Sequence, residues 1–113
     1  MKQAIICVDD EAIILMSLKM ELKEHFGSRY QYETAINADA AEKLLEELEA
    51  ENTEPVLMVS DWLMPGKKGD ALLKEAHQRH PHMAKVLITG QADAESIEKA
   101  RSAGAIDACI PKP

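Results

Sequence analysis

Carboxylates, a hydroxyl and an amine recur at the ends of short apolar runs in this chain. Asp9-Asp10-Glu11 follows Ala4–Val8, and Asp61, with Met64-Pro65 close behind, follows Val56–Ser60. Thr89-Gly90 ends the run that begins at Lys85, and Lys112-Pro113 follows Ala108–Ile110. Gly69 opens a helical segment. If the runs are parallel strands, their carboxyl ends share one edge of a sheet. Asp9, Asp10 and Asp61 would repel one another there unless a divalent cation sat between them. A nearby hydroxyl and amine are what a phosphoryl group needs, so the set reads as one phosphate-handling site.

The segments between the runs have helical period. Leu15, Leu18, Leu22 and Phe26 form one stripe over 11–26, which Gly27-Ser28 ends. Tyr30–Ile36 is a weaker strand with polar alternation, expected at an edge. Asn37 or Asp39 caps the next helix, which buries Ala41, Leu44, Leu45 and Leu48 and turns Glu42, Glu46, Glu47 and Glu49 to solvent. Pro55 opens the Val56–Ser60 strand. A third helix runs from near Lys68 to before Pro81, and a fourth over 93–103, closed by Gly104. Strand and helix alternate five times, less the last helix. Such alternation predicts an α/β fold, a parallel sheet with helices on both faces. Ligands of such sheets bind beyond the carboxyl ends of the strands, where the polar groups fall.

Length and composition agree with one domain. The chain has 113 residues, 46% hydrophobic and 29% charged, enough to bury a core without disulfides. Its formal net charge is −7 with no basic run, so direct nucleic-acid binding is not expected. Cys7 and Cys109 lie in apolar runs and form no disulfide framework. No signal peptide is legible, and no run approaches the ~20 apolar residues of a membrane span, so a cytoplasmic location is expected.

Each signal has a plain alternative. Acids favour helix starts, which covers Asp9-Asp10. Thr89-Gly90 can be a strand-to-turn junction and Lys112 a solvated side chain. Complementary groups at four separate strand ends are harder to explain that way. His77, His80 and His82 read as a polar turn rather than a metal site, since no cysteine or acid joins them at ligand spacing. Met16, Met20, Met58, Met64 and Met83 read as core filler, and Cys109 as buried packing. Trp62 is assigned equally to the core or to the flank of the site.

Asp9-Asp10, Asp61-Trp62-Leu63-Met64-Pro65, Gly69, Thr89 and Lys112-Pro113 together resemble the receiver domain of two-component response regulators, over essentially residues 1–113. The resemblance implies a flavodoxin-like, doubly wound five-stranded sheet in the order 2-1-3-4-5, with the fifth helix missing from this chain. It implies that Asp61 is the phosphoacceptor and that Mg²⁺ is held by Asp10 directly, Asp9 through water, Asp61 and the backbone carbonyl of Leu63. Lys112 would pair with a phosphoryl oxygen, and Thr89 would be the switch hydroxyl. The Lys112–Pro113 bond is cis in the family. The partners implied are a sensor histidine kinase or phosphotransfer protein, with a second copy of the chain and a downstream effector domain as further candidates. Such a protein is a signalling switch, not a turnover enzyme, though it catalyses its own phosphorylation and dephosphorylation.

Some positions depart from the family. Cys109 stands where an aromatic residue often rotates inward on activation. Leu63 and Gln91 occupy positions that tune attack by water, and Leu63 points to a long-lived phosphate. Without a fifth helix, apolar side chains from Ile5, Cys7, Ile110 and the first helix are expected to face water. Three rivals fit less well. A haloacid-dehalogenase-type hydrolase needs acids two residues apart on the first strand. A flavodoxin-like electron carrier needs a hydroxyl- and glycine-rich loop where this chain has acids. A degenerate receiver acting only as a protein-interaction module would not need the intact set.

Overall fold

The computed structural model describes residues 2–62, 66, 68–90, 94–102 and 106–111. Its strands are β1 (Lys2–Val8), β2 (Gln31–Ala35), β3 (Thr53–Asp61), β4 (Ala84–Thr89) and β5 (Ala108–Pro111). Its helices are α1 (Ala12–Phe26), α2 (Ala38–Ala50), α3 (Gly69–Arg79) and α4 (Ala94–Ser102), with a 3-10 turn over Gly27–Arg29. The strands form one parallel sheet in the order β2-β1-β3-β4-β5, as expected.

The pleat separates two apolar faces. Ala4, Ile6 and Val8 of β1, Met58 of β3 and Leu87 of β4 join Ala41, Leu45 and Leu48 of α2 and Leu72, Leu73 and Ala76 of α3 in one core cluster. Trp62 belongs to this cluster and is buried, which settles its role as packing. Cys109 is half-buried against the same cluster. The alternate residues Ile5 and Cys7 face α1, which lies on the other side. The near-continuous apolar run of β1 follows from this double coverage.

Local signals behave as their chemistry requires. Asn37 caps α2, its side chain accepting from Ala40 N–H at 2.7 Å. Gly27 ends α1 at φ 77°, donating to Lys23 O. Tyr32 of β2 donates its hydroxyl hydrogen to Gly27 O at 2.7 Å, tying that helix end to the edge strand.

β3 is longer than expected, beginning at Thr53, and Pro55 lies buried within it. A proline in a central strand needs an irregularity, because it donates nothing to the ladder. The irregularity is a bulge. Ala4 aligns with Pro55, but Ile5 aligns with Leu57, so Val56 has no partner on β1.

The expectations for Ile5, Cys7, Met16 and Met20 are corrected, and that for Ile110 and α1 holds. Ile5 and Cys7 are 2% and 1% exposed, because α1 covers them. The apolar surface lies further along the sheet. A trench of about 530 Å³ runs beside α1, lined by Leu18, Leu22 and Phe26 of the helix and by Val59, Ile88 and Ile110 of β3–β5. Ile110 is 50% and Phe26 40% exposed, so the α1 stripe buries fully only at Leu15. Met16 and Met20 are not core filler; they are exposed on the outer side of α1, whereas Met58 and Met83 are buried. An acid does reach the histidine turn. Glu49 of α2 lies 2.8 Å from His80 Nε2 and binds Arg79 Nη2 through both carboxylate oxygens at 2.9 Å.

Candidate functional site

Asp9 is the first residue beyond β1, and its N–H still pairs with Ala35 O of β2 at 3.1 Å. Its carboxylate Oδ1 accepts from Glu11 N–H at 2.9 Å. That bond bends the chain into α1 and fixes the buried carboxylate, which is 0% exposed. Asp10, next in the chain, is exposed. Asp61 is the last residue of β3, aligned with Ile88 of β4 and 3% exposed. Beyond it, Trp62 N–H donates to Ile88 O at 3.0 Å, so the backbone holds its β4 pairing past the carboxylate.

The three carboxylates meet as expected. Asp9, Asp10 and Asp61 each offer an oxygen, and these lie within 4.8 Å of one another. Two unit charges at that range repel by about 1 kcal/mol in water and roughly 3–4 kcal/mol at an effective dielectric near 20. An all-oxygen set of this charge suits a hard divalent cation. Among the described residues it is the only cluster of three or more His, Cys, Asp or Glu side chains able to hold a metal.

Thr89 ends β4 next to Asp61's own partner, Ile88, and is 8% exposed. It aligns with Pro111 at the end of β5. The backbone around Asp61 is braced from the other side. Ser60 donates its hydroxyl hydrogen to Asp61 O at 3.1 Å, and Gly69 N–H donates to Trp62 O at 3.0 Å. Gly69 opens α3 directly against the phosphoacceptor candidate. A Cβ there would lie 1.9 Å from Asp61 O and 3.1 Å from Leu87 Cδ1. The glycine is required by close approach, which sequence alone placed only at a turn.

Leu63, Met64, Pro65, Gln91, Lys112, Pro113 and the Lys112–Pro113 bond lie outside the described residues. Lys112 directly follows Pro111 in the chain, and Leu63 follows Trp62.

Comparison with known proteins agrees with this geometry. Residues 5–113 match the family model of the response regulator receiver domain, and the chain belongs to that family. The DNA-binding transcriptional regulator NtrC of Escherichia coli is 41% identical over 59 residues, 52% of this chain and 12% of that protein. The hydrogenase transcriptional regulatory protein HoxA of Cupriavidus necator is 35% identical over 98 residues, 85% of this chain and 18% of that protein. The chain thus spans less than a fifth of the length of these curated relatives. Among solved structures, the signal receiver domain of an HD domain-containing protein from Pseudomonas fluorescens superposes with a TM-score of 0.83 at 30% identity, covering 100% of this chain and 84% of that one. A CheY-like receiver domain protein from Methanospirillum hungatei gives 0.78 at 34% identity, with 100% and 82% covered. A beryllofluoride-activated NtrC4 receiver domain dimer gives 0.79 at 30% identity, with 100% and 85% covered.

Proposed function

We propose that the chain is a phosphorylation-dependent signalling switch that accepts a phosphoryl group on Asp61, from a histidine kinase or a small phosphodonor, with Mg²⁺ at the acidic cluster. The observation that carries this reading is the meeting of the Asp9, Asp10 and Asp61 oxygens within 4.8 Å at the sheet edge that also holds Thr89. Mg²⁺, bound by these acids and the Leu63 carbonyl, would offset their repulsion and the negative charge of the incoming phosphoryl oxygens.

The chain's own residues do the rest. An oxygen of Asp61 attacks phosphorus in line with the donor, forming the acyl phosphate bond as the phosphorus–nitrogen bond of a phosphohistidine breaks. The electron pair of that bond leaves with the imidazole. Asp9 is held in place by Glu11 N–H and Asp61's strand end by Trp62 N–H and Ser60, so little reorganisation is needed at the moment of transfer. Lys112 would neutralise one phosphoryl oxygen and the Thr89 hydroxyl would donate to another. Cys109, aligned with Leu87 and packed on the core, offers no aromatic ring to rotate, so the signal would pass through Thr89 and the backbone it ends.

The domain would act in the cytoplasm, passing its state to a downstream effector domain, a second copy of itself or another protein. Receivers are switches rather than turnover enzymes. The test is treatment with acetyl phosphate and Mg²⁺, followed by mass spectrometry of the intact protein. One phosphoryl adduct on wild type, absent from Asp61→Asn and abolished by chelation, is expected. Equal labelling of Asp61→Asn would refute the phosphoacceptor, and a wild type that never labels would favour a degenerate receiver that only binds partners.

A further inference from the structure

At the opposite end of the sheet, Lys85 is buried to 1% exposure at the start of β4. Its amine donates to Met83 O and stands 3.9 Å from Asp107 Oδ2. The same carboxylate oxygen accepts from Lys85 N–H at 2.8 Å, and Asp107 N–H donates to Lys85 O at 2.7 Å. One residue thus satisfies both the N–H and the C=O of Lys85. Asp107 does so immediately before the ladder begins at Val86↔Ala108, its carboxylate serving where a strand carbonyl would.

We propose that Lys85 and Asp107 form a register clamp for β5, and that Asp107 is thereby a positioning residue for Lys112. The second half rests on the proposed phosphoryl transfer to Asp61. Among the described residues β5 has four and, at the edge of the sheet, pairs with β4 alone. A short edge strand has little side-chain packing to choose its register, and a slip of one residue turns every side chain to the other face. The clamp chooses it chemically. A buried ammonium is costly unless a counter-charge stays close, and only the observed alignment brings the Asp107 carboxylate to Lys85. From that anchor the register runs up to Thr89↔Pro111, beside the carboxylates, and Lys112 is the next residue. A lysine buried at the far end of the sheet therefore helps aim the lysine proposed to hold the phosphoryl group.

The experiment compares Asp107→Ala and Asp107→Asn in the intact chain. Asparagine keeps an oxygen that accepts from Lys85 N–H; alanine does not. Amide hydrogen exchange reads the clamp without any phosphorylation. The alanine variant is expected to exchange roughly tenfold or more faster at the Leu87, Thr89 and Cys109 amides that face between β4 and β5, with Ile6 and Met58 near wild type, because edge elements open locally. Asp107→Asn keeps the acceptor but not the counter-charge, so its protection is expected to fall between the alanine variant and wild type. Labelling by acetyl phosphate reads the positioning. Asp107→Ala is expected to slow it roughly ten- to a hundredfold, since small misplacements of a transfer group cost that much. Lys112→Ala should then add little in the alanine background, whereas Asp9→Asn should multiply with it. Unchanged exchange at the amides between β4 and β5, or equal acceleration in every strand, would overturn the clamp. Losses from Asp107→Ala and Lys112→Ala that multiply would overturn the positioning role. A wild type that does not label would refute phosphoryl transfer to Asp61 and with it the positioning role, while the exchange arm would still decide the clamp.

Discussion

The bare Cα of Gly69 faces the carbonyl oxygen of Asp61 so closely that a Cβ would sit 1.9 Å from it. The start of α3 is thus seated on the backbone of the candidate phosphoacceptor. Gly69→Ala is expected to push β3 and α3 apart, costing about 1–3 kcal/mol in chemical denaturation, as overpacked sites do. Phosphorylation should fall further than stability does, since the displaced atoms belong to Asp61. A Gly69→Ala protein that labels at the wild-type rate would show that the contact is structural only.

Neutralising Asp10 is expected to weaken Mg²⁺ binding more than neutralising Asp9. The proposed direct ligand brings its charge closer to the ion than one acting through water. Titration of Mg²⁺ followed by Trp62 fluorescence would measure this, as Trp62 directly follows Asp61. Equal losses for Asp9→Asn and Asp10→Asn would refute the ranking.

Burial raises the Cys7 thiol pKa to about 11, against a smaller opposing influence from Lys19. The folded protein therefore keeps a proton there that the unfolded chain releases at lower pH. Stability from this group is full below the ordinary thiol range. It is lost as pH rises from that range towards about 11, by about 1.4 kcal/mol for each pH unit crossed. At pH 8, iodoacetamide should spare Cys7 and modify the half-buried Cys109 first. Denaturation of a Cys7→Ser or Cys7→Ala protein at pH 8 and pH 10.5 should show a weaker pH dependence than wild type.

The trench beside α1 separates two kinds of apolar residue. Leu73→Ala, at a site 0% exposed, is expected to cost about 2–5 kcal/mol. Ile110→Ala, at 50% exposure, should cost less than about 1 kcal/mol in residues 1–113 alone. With residues that follow Pro113 in a longer natural protein added, the cost at Ile110 should rise if they cover the trench. An unchanged cost, in a monomeric and equally heat-stable protein, would refute a helix packing there.

The strands and the site were legible for the same reason. A strand buried on both faces must be an unbroken apolar run, so polar groups at its end stand out, as at Val8–Asp9 and Ser60–Asp61. Features made by one element against another were not legible. Lys85 reads as an ordinary strand-opening lysine, because nothing nearby in sequence shows that Asp107 returns to meet it. Met16 and Met20 share the composition of Met58 and Met83, and only the seating of α1 separates them. The trench required knowing that α1 covers β1 but not β4 and β5.

The bulge at Val56 gives the central strand pair one residue to spare. Below it, Lys2–Ala4 align with Thr53–Pro55; above it, Ile5–Val8 align with Leu57–Ser60, and Asp9 and Asp61 follow at once. Deleting Val56 would merge the two counts and leave Asp9 level with Asp61, with every other pairing kept. Deleting Val59 instead would keep the acids level only by drawing Val56 into the ladder opposite Ile5. Leu57 and Met58 would then each turn to the other face of the sheet, and Met58 would leave the core. The slack protects the meeting of the acids against a lost residue, but only a loss at the bulge itself leaves the packing intact.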